Sequence, residues 1–383
     1  MHFNIKEPIR LLFLIHDPSR TGAPLVALST MERLRQDYPC IEFDTLLLSD
    51  NDNGIKDDFH KISDVFYAWN IYSKWERRAH KYLRRPLNSA KWERFLFKRK
   101  YDLIIANTVV CIDIAYKIKV KFGIPIVLWC HEAEVACQCM NVTERKISIC
   151  DFFICPSDSV KSCLMRRSAP ENKIIVIPPI STHIVSLQRH SPLYKKANQI
   201  FTIGFSGGRG WTKGGDILPL IISRLHQKYP QLSCQYVWSG SVPLDTQQEI
   251  EHDLQMMGAP NTIHFTGKVA DIIPVFQECD IFLILSREES FSMVAIENAL
   301  IGNPLIIFKG ATGLEDTFKD GESALYVPYL DIDAVCDAIY SLYSNPHYRE
   351  ELSKNGKLAA NALYKAHNPI SEFATAVSLF LGR

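Results

Sequence analysis

Two glutamates in one segment are the residues best suited to chemistry in this sequence. Glu289 lies in a polar loop after the apolar run 281–285, and Glu297 lies within the following predicted helix, which ends at Gly302. The backbone N–H groups of residues 291–294 would then stand at a helix N-terminus, which binds phosphate. Carboxylates accept hydrogen bonds from sugar and ribose hydroxyls. For a bare pair of glutamates, an ordinary surface helix is the simpler interpretation.

A glycine-rich turn follows the apolar run 202–205. It contains Gly207, Gly208, Arg209 and Lys213 and opens the next predicted helix. The backbone donors of such a turn, with two flanking cations, can hold a diphosphate. The turn is not a Walker loop, which requires Gly-x4-Gly-Lys-Ser/Thr. The alternative for Lys213 is a solvent-exposed lysine at a helix start, where the helix dipole disfavours a cation.

The first half of the chain carries a histidine directly after an apolar run. His131 follows the run 126–129, and Glu132 and Glu134 are near enough in sequence to orient it. A histidine at the carboxyl end of a parallel strand can serve a site there, although a lone histidine is more often a core or surface residue. Gly22 lies in the loop after the first apolar run. A Gly-x-Gly-x-x-Gly motif is missing from that loop, which argues against an NAD enzyme.

These segments resemble the donor-site signature of the family 4 retaining glycosyltransferases of the GT-B fold. Residues 286–304 match its Ser-x-x-Glu-x-Phe-Gly-like loop, second glutamate and small-Gly-x-Pro ending, with Ser292 where the family usually has glycine. The turn at Lys213-Gly214 resembles the family's Gly-Arg…Lys-Gly loop. The resemblance extends over nearly the full chain. It implies transfer of a sugar from a nucleotide diphosphate sugar to an acceptor hydroxyl, with retention at the anomeric carbon.

The resemblance also implies roles for individual residues. Glu289 would contact the transferred sugar, Glu297 the nucleotide ribose, and residues 267–269 the base, largely through their backbone. The implied catalytic residues are His131, Glu289, Lys213 and Arg209. The implied donor-binding residues are Gly22, Gly207, Gly208, Lys213, Gly267, Lys268, Val269, Glu289, Ser290, Phe291, Ser292, Met293, Val294 and Glu297. The implied acceptor-side residues are Asn107 and Glu132.

The implied reaction requires neither a metal nor a cofactor. The leaving diphosphate would be stabilised by Lys213, Arg209 and the helix N-terminus. An Asp-x-Asp cluster is missing from the predicted cleft regions of both domains. Two alternatives remain: a GT-B sugar-nucleotide epimerase, and a non-catalytic GT-B subunit that binds a partner or a membrane surface. The intact set of Glu289, Glu297, Lys213 and His131 argues against the second.

The elements that must position these residues are short apolar runs that alternate with helical patterns. The runs are 11–15, 43–48, 103–106, 126–129, 152–155, 174–177, 202–205, 234–238, 262–265, 281–285 and 305–308. Each run is continuous, as in parallel strands covered by helices on both faces. The pattern predicts an α/β protein with two Rossmann-like doubly wound domains, which the resemblance makes a GT-B pair facing across a cleft.

The expected domains follow from the same pattern. An acceptor-side domain covers residues 1–185, a linker covers 186–199, and a nucleotide-sugar-binding domain covers 200–365. The resemblance implies that a C-terminal helix at about 366–383 packs back on the first domain.

Composition narrows the partners and the compartment. The net charge of +1 favours no nucleic-acid partner, but residues 1–200 carry 30 basic and 21 acidic side chains. Residues 74–100 hold eleven Lys and Arg beside aromatic side chains, which suits either an anionic membrane surface or a solvated helical face. Together with the family resemblance, this charge leads us to expect a glycan or lipid-linked acceptor at the inner membrane face. Eleven scattered cysteines and the lack of a spanning or signal segment favour the cytoplasm.

Overall fold

The computed structural model describes residues 8–49, 54–64, 66–68, 96, 98–189, 200–269 and 271–382. The chain divides into two compact units. Unit 1 contains residues 1–181 and 368–383, and unit 2 contains residues 182–367. The chain therefore leaves unit 1, completes unit 2 and returns to unit 1.

Unit 1 is built on a parallel sheet of seven strands in the order β3-β2-β1-β4-β5-β6-β7. The strands are β1 (Ile9–Ile15), β2 (Ile41–Leu47), β3 (Phe66–Ala68), β4 (Leu103–Asn107), β5 (Ile126–Trp129), β6 (Phe152–Cys155) and β7 (Ile174–Val176). The described α-helices before unit 2 are α1 (Gly22–Asp37), α2 (Lys56–Ile62), α3 (Ile112–Phe122), α4 (Glu134–Cys139), α5 (Glu144–Ile147) and α6 (Asp158–Met165). All five residues of β4 are buried, as expected of a strand covered on both faces.

A helix from the far end of the chain completes the core of unit 1. This helix is α14 (Pro369–Phe380). Its Phe373 stacks on Phe13 of β1, with ring centroids 6.3 Å apart, and lies 5.0 Å from the ring of Trp129. Phe380 stacks on Phe152 at 4.2 Å. The aromatic face of α14 therefore covers three strands of the sheet.

Unit 2 is built on a parallel sheet of six strands in the order β10-β9-β8-β11-β12-β13. The strands are β8 (Phe201–Ser206), β9 (Cys234–Ser239), β10 (Ile263–Gly267), β11 (Ile281–Ile284), β12 (Leu305–Phe308) and β13 (Leu325–Val327). The helices are α7 (Thr182–Arg189), α8 (Leu218–Lys228), α9 (Leu244–Met256), α10 (Ile273–Gln277), α11 (Met293–Ile301), α12 (Ile332–Ser344) and α13 (Pro346–Ala366). A Cβ on Gly204 would lie 2.4 Å from the ring of Phe282, so only glycine fits where β8 meets β11.

The predicted fold class is confirmed, because every apolar run named above forms a strand of one of two doubly wound parallel sheets. The structure adds the three-residue edge strands β3 and β13, which the sequence did not predict.

The boundary between the units differs from the expected one at residue 185. The division falls after Ser181, and residues 182–189 form α7, which packs against α11 within unit 2. Ile184 and Leu187 are buried, so this polar stretch still has an apolar helical face. Residues 190–199 of the expected linker lie outside the described residues.

Two expectations concern membranes. Of the basic segment 74–100, residues 74–95 and 97 lie outside the described residues. In the part of the chain that the structure describes, every helix is too short or too polar to cross a bilayer.

Candidate functional site

The chemistry predicted for the second half of the chain lies at a reversal of strand order in unit 2. β8 pairs with β9 on one side and β11 on the other. The loops after β8 and β11 leave the sheet at neighbouring points, which is where ligands bind in doubly wound folds. These two loops are the glycine-rich turn and the segment that contains Glu289.

The glycine-rich turn is held tightly against the sheet. Trp238 donates its indole N–H to the carbonyl of Gly207 at 2.7 Å. Gly214 has φ +73°, and a Cβ there would lie 2.0 Å from the carbonyl oxygen of Leu285. The turn passes directly against the end of β11, and for that reason no side chain fits at Gly214. This contact sets the position of the neighbouring Lys213.

Glu289 is fixed through both its backbone and its side chain. Its N–H donates to the carbonyl of Ala311 at 2.8 Å, and its carbonyl accepts from the N–H of Gly313 at 3.2 Å. Oε1 lies 2.5 Å from Lys213 Nζ, and Oε2 accepts from the hydroxyl of Ser286 at 2.8 Å. The side chain is 12% exposed, so this carboxylate is almost shielded from solvent. The structure therefore brings together Lys213 and Glu289, which are 76 residues apart in the chain.

A cavity of about 80 Å³ adjoins this pair. Its lining consists of Phe205, Ser206, Gly207, Lys213, Leu283, Ile284, Leu285, Ser286, Glu289, Ser292 and Val294. Ser292 caps α11, its hydroxyl accepting from the N–H of Ala295 at 3.4 Å. The first N–H groups of a helix have no acceptor within the helix, so α11 begins with donors next to Lys213. The cavity thus combines a cation, a carboxylate and a helix N-terminus, which suits an anionic ligand with hydroxyl groups.

Two more residues expected at the donor site form ion pairs and are not part of the lining of this cavity. Arg209 pairs with Glu249 and Asp253 of α9, while the cavity takes its cation from Lys213. Glu297 is buried on α11, with Oε1 3.5 Å from Nδ1 of His183 on α7.

The remaining donor-binding residues fall into three groups. A Cβ on Gly215 would lie 2.5 Å from the carbonyl of Gly208, so the turn also folds closely on itself there. Gly267 ends β10 and accepts from the N–H of Gly240 at 3.3 Å, and the exposed Lys268 and Val269 follow it. Ser290 precedes the helix, Phe291 is buried, and Met293 is the first residue of α11.

The polar residues expected in the first half meet at the corresponding edge of the unit 1 sheet. His131 lies with Nε2 2.8 Å from Oδ1 of Asn107, whose amide donates to the carbonyl of Ala23 at 3.2 Å. Since the amide nitrogen of Asn107 is the donor to Ala23, Oδ1 accepts, and the proton of His131 sits on Nε2. Gly22 begins α1 beside this group. Four of the residues expected from the sequence therefore lie together at this edge of the sheet, namely Gly22, Asn107, His131 and Glu132.

Glu132 and His131 have strongly shifted proton affinities. Glu132 accepts from the N–H groups of Val109 at 3.3 Å and His131 at 3.1 Å. Burial nevertheless raises the pKa of Glu132 to about 7. Burial, together with the nearby His16, lowers the pKa of His131 to about 3. His131 is consequently neutral, and Glu132 exchanges its proton near neutral pH.

Three more residues belong to these sites, and for two of them, Ser286 and His16, the sequence predicted no individual role. Ser286 orients Glu289, and Thr108 Oγ1 lies 3.5 Å from Nδ1 of His16. Thr108 has φ +99°, a strained value for a β-branched residue. His16 and Thr108 follow β1 and β4 directly, and Ser286 is the second residue after β11; these positions were the available signal. Glu134, expected near His131, instead pairs with Arg167 at 2.7 Å.

No group of three His, Cys, Asp or Glu side chains in the described part of the chain is arranged to hold an ion.

Comparison with known structures identifies the class of fold. The chain superposes on HepE from Anabaena, determined with UDP and glucose, with a TM-score of 0.73 and 17% identity, covering 97% of this chain and 99% of that one. The two parallel-sheet units are therefore a GT-B fold.

Sequence comparison then identifies the family. Residues 57–180 match the model of Glycosyltransferase Family 4, and residues 200–345 match the model of Glycosyl transferases group 1. The chain belongs to the glycosyltransferase family that these two models describe, one for each half of the chain.

Two curated relatives are similar over part of their length. D-inositol 3-phosphate glycosyltransferase of Corynebacterium urealyticum is 26% identical over 38% of this chain and 36% of the relative. Capsular polysaccharide biosynthesis glycosyltransferase CapM of Staphylococcus aureus is 26% identical over 52% and 54%. The chain thus spans about a third to a half of the length of these relatives.

Proposed function

We propose that the protein is a retaining glycosyltransferase that moves a sugar from a nucleotide diphosphate sugar to an acceptor hydroxyl. The observation that carries this proposal is the contact of 2.5 Å between Lys213 and Glu289 at the cavity beside the start of α11. Departure of a sugar from a diphosphate creates negative charge on the leaving oxygen and positive charge on the sugar. A cation and a carboxylate side by side match this separation of charge.

Each group has a defined part in the proposed reaction. Lys213 and the N–H groups at the start of α11 stabilise the diphosphate as it leaves. Glu289 is held away from solvent and accepts hydrogen bonds from hydroxyls of the transferred sugar. In this proposal the diphosphate of the donor binds at Lys213, and the hydroxyls of its sugar donate hydrogen bonds to Glu289 beside it.

Retention and metal independence belong to the same proposal. The acceptor oxygen attacks the anomeric carbon on the side from which the diphosphate departs, and the leaving phosphate oxygen takes the acceptor proton. The protein then needs no general base at the reacting carbon. Neutral His131 can accept a hydrogen bond at Nδ1 from a sugar hydroxyl, since its proton is on Nε2.

Relatives support a nucleotide-sugar donor and a glycan acceptor. The Anabaena protein was determined with UDP and glucose, and CapM is named for capsular polysaccharide biosynthesis. We propose UDP or another nucleoside diphosphate as the leaving group, and a growing surface glycan or lipid-linked sugar as the acceptor. We assign Asn107 and Glu132, which both contact His131, to the acceptor side.

A thermal-shift screen with UDP, GDP, ADP, CMP and dTDP, without added metal, tests the donor site. Binding of the correct nucleotide raises the unfolding temperature, because the ligand binds only the folded protein. Transfer from the matching nucleotide sugar should continue in EDTA, and proton NMR of the new linkage should show the donor's anomeric configuration. An absence of stabilisation by every nucleotide would contradict the proposal.

Substitution of Glu289 tests the residue assignment. Glu289→Gln keeps the shape of the side chain but removes its charge, and we expect the turnover rate to fall about 100-fold or more. Glu322→Gln changes an exposed glutamate of the same unit and should leave the rate unchanged. Equal rates for the two variants would refute the role of Glu289.

We further propose that residues 74–100 attach the protein to the anionic inner face of the cell membrane. The support is their excess of Lys and Arg beside aromatic side chains. The protein should cosediment with vesicles that contain anionic phosphatidylglycerol and be released by high salt, since salt screens the attraction. Equal binding to neutral phosphatidylcholine vesicles would contradict this.

A further inference from the structure

The two loops that carry Lys213 and Glu289 are joined by a third residue, Arg287. Its backbone N–H donates to the carbonyl of Thr212 at 2.9 Å. Its Nη1 donates to the carbonyl of Trp211 at 2.8 Å. Arg287 therefore contacts the glycine-rich turn on the N-terminal side of Lys213.

The same guanidinium also contacts the turn on the C-terminal side of Lys213. Nη1 and Nη2 of Arg287 each lie 2.7 Å from an oxygen of Asp216, a two-pronged pair. The guanidinium carbon lies 5.8 Å from the ring centre of Trp211. One side chain thus holds residues 211 and 216 together, with Lys213 between them.

The two partners differ in exposure. The side chain of Arg287 is only 10% exposed and that of Asp216 is 40% exposed, so water screens the pair in part and from the carboxylate side. A bidentate arginine–carboxylate pair requires the planar fork of the guanidinium, which lysine cannot reproduce. Arg287 and Asp216 are not among the residues that line the cavity, so they would act on the donor through Lys213.

We propose that Arg287 and Asp216 are a positioning pair that fixes the backbone of Lys213 opposite Glu289. This inference rests on the proposed function, in which Lys213 must meet the diphosphate. A lysine side chain is long and flexible, so its usefulness as a phosphate ligand depends on where its backbone is held. A displacement of about 1 Å at such a site can lower a rate about 100-fold.

The test is a double-substitution cycle with Lys213. Arg287→Lys keeps the charge but loses the fork, and it should lower the turnover rate at saturating donor about 10-fold or more. In a Lys213→Ala background the same substitution should change the rate less than about twofold, because the group it positions is gone. Nucleoside diphosphate released from the nucleotide sugar, with or without acceptor, is the quantity measured.

A matched control is available on the surface of unit 2. Arg224 makes a similar two-pronged pair with Asp333, at 2.7 and 3.2 Å, and Arg224→Lys should leave the rate unchanged in both backgrounds. Asp216→Asn removes one partner with little change of shape and should reproduce the effect of Arg287→Lys if the latter folds poorly. Equal effects of Arg287→Lys with and without Lys213 would overturn the inference and assign Arg287 to stability alone.

A second readout separates this inference from the proposed function. The affinity of the stabilising nucleotide, measured by calorimetry, requires no sugar transfer. If Lys213→Ala and Arg287→Lys each weaken binding and the double variant is no weaker than Lys213→Ala, the positioning role stands even where transfer is not observed. If Arg287→Lys leaves the affinity and the rate unchanged, the positioning role fails while a normal effect of Glu289→Gln leaves the proposed function intact. Absence of nucleotide binding by the unsubstituted protein would overturn both.

Discussion

Replacing Glu132 by glutamine should change how the stability of unit 1 depends on pH. Burial raises the pKa of Glu132 from 4.5 to about 7, so the folded protein binds this proton more tightly than the unfolded chain does. The contribution of Glu132 to the free energy of unfolding is therefore highest below pH 4.5 and falls as the pH rises towards 7. The fall has a maximum slope of about 1.4 kcal/mol per pH unit and totals roughly 3 kcal/mol.

Glu132→Gln cannot titrate, so this fall disappears from the variant. Between pH 5 and 6.5, the free energy of unfolding of Glu132→Gln minus that of the unsubstituted protein should rise by about 1 kcal/mol per pH unit. Urea titrations at fixed pH would measure it, with hydrogen exchange of peptides from β4 and β5 reporting on unit 1. Glu144→Gln, an exposed position on the same unit, should follow the unsubstituted protein.

His131 supplies a test of the sign. Its pKa is lowered from 6.5 to about 3, so protonation favours the unfolded chain, and its contribution to stability is lost as the pH falls below 6.5. His131→Gln should therefore change the slope between pH 5 and 6.5 in the direction opposite to Glu132→Gln. A constant difference between Glu132→Gln and the unsubstituted protein across this range would refute the burial of the carboxylate.

Three further substitutions test packing by urea unfolding. Gly214→Ala should lower the free energy of unfolding by about 3 kcal/mol or more, because its Cβ would lie 2.0 Å from a backbone carbonyl oxygen. The control is Gly210→Ala, whose Cβ would have open space around it. Equal effects of the two substitutions would contradict the contact at Gly214. Ser292→Ala removes a helix cap and should cost about 1 kcal/mol, and no change would argue against the cap. Asp44→Ala removes a buried carboxylate that accepts hydrogen bonds from an arginine and a tyrosine, and it should lower the free energy of unfolding by about 3 kcal/mol. Asp37→Ala removes one partner of an exposed ion pair and should lower it by less than about 0.5 kcal/mol. Similar losses for the two variants would contradict this reasoning.

The central strands were predictable from the sequence because each is a continuous apolar run. β4 is one example, with five buried residues in succession. The edge strands β3 and β13 have three residues each, too few for a distinct pattern. The start of unit 2 was misplaced for a related reason, since α7 buries only Ile184 and Leu187 within a polar stretch.

The candidate site was predictable where two loops follow neighbouring strands. Lys213 and Glu289 were named from the sequence, and the parallel topology places them in contact. The direction of the Arg209 side chain was not predictable, because it depends on Glu249, 40 residues later on α9. Whether Ser286 orients a carboxylate or only faces solvent is likewise decided by a contact that no local pattern encodes.

The return of the chain to unit 1 also sets an order of events during protein synthesis. Phe373 covers Phe13 and Trp129, but the ribosome makes it only after all of unit 2. At about 5 to 20 residues per second, that interval lasts roughly 10 to 40 seconds. Throughout this interval, Phe13 and Trp129 of the nascent first unit lack the helix α14 that covers them in the folded protein. Unit 2 consists of one continuous stretch of the chain, so its folding does not depend on α14. The unit that is made later can therefore complete its folding first.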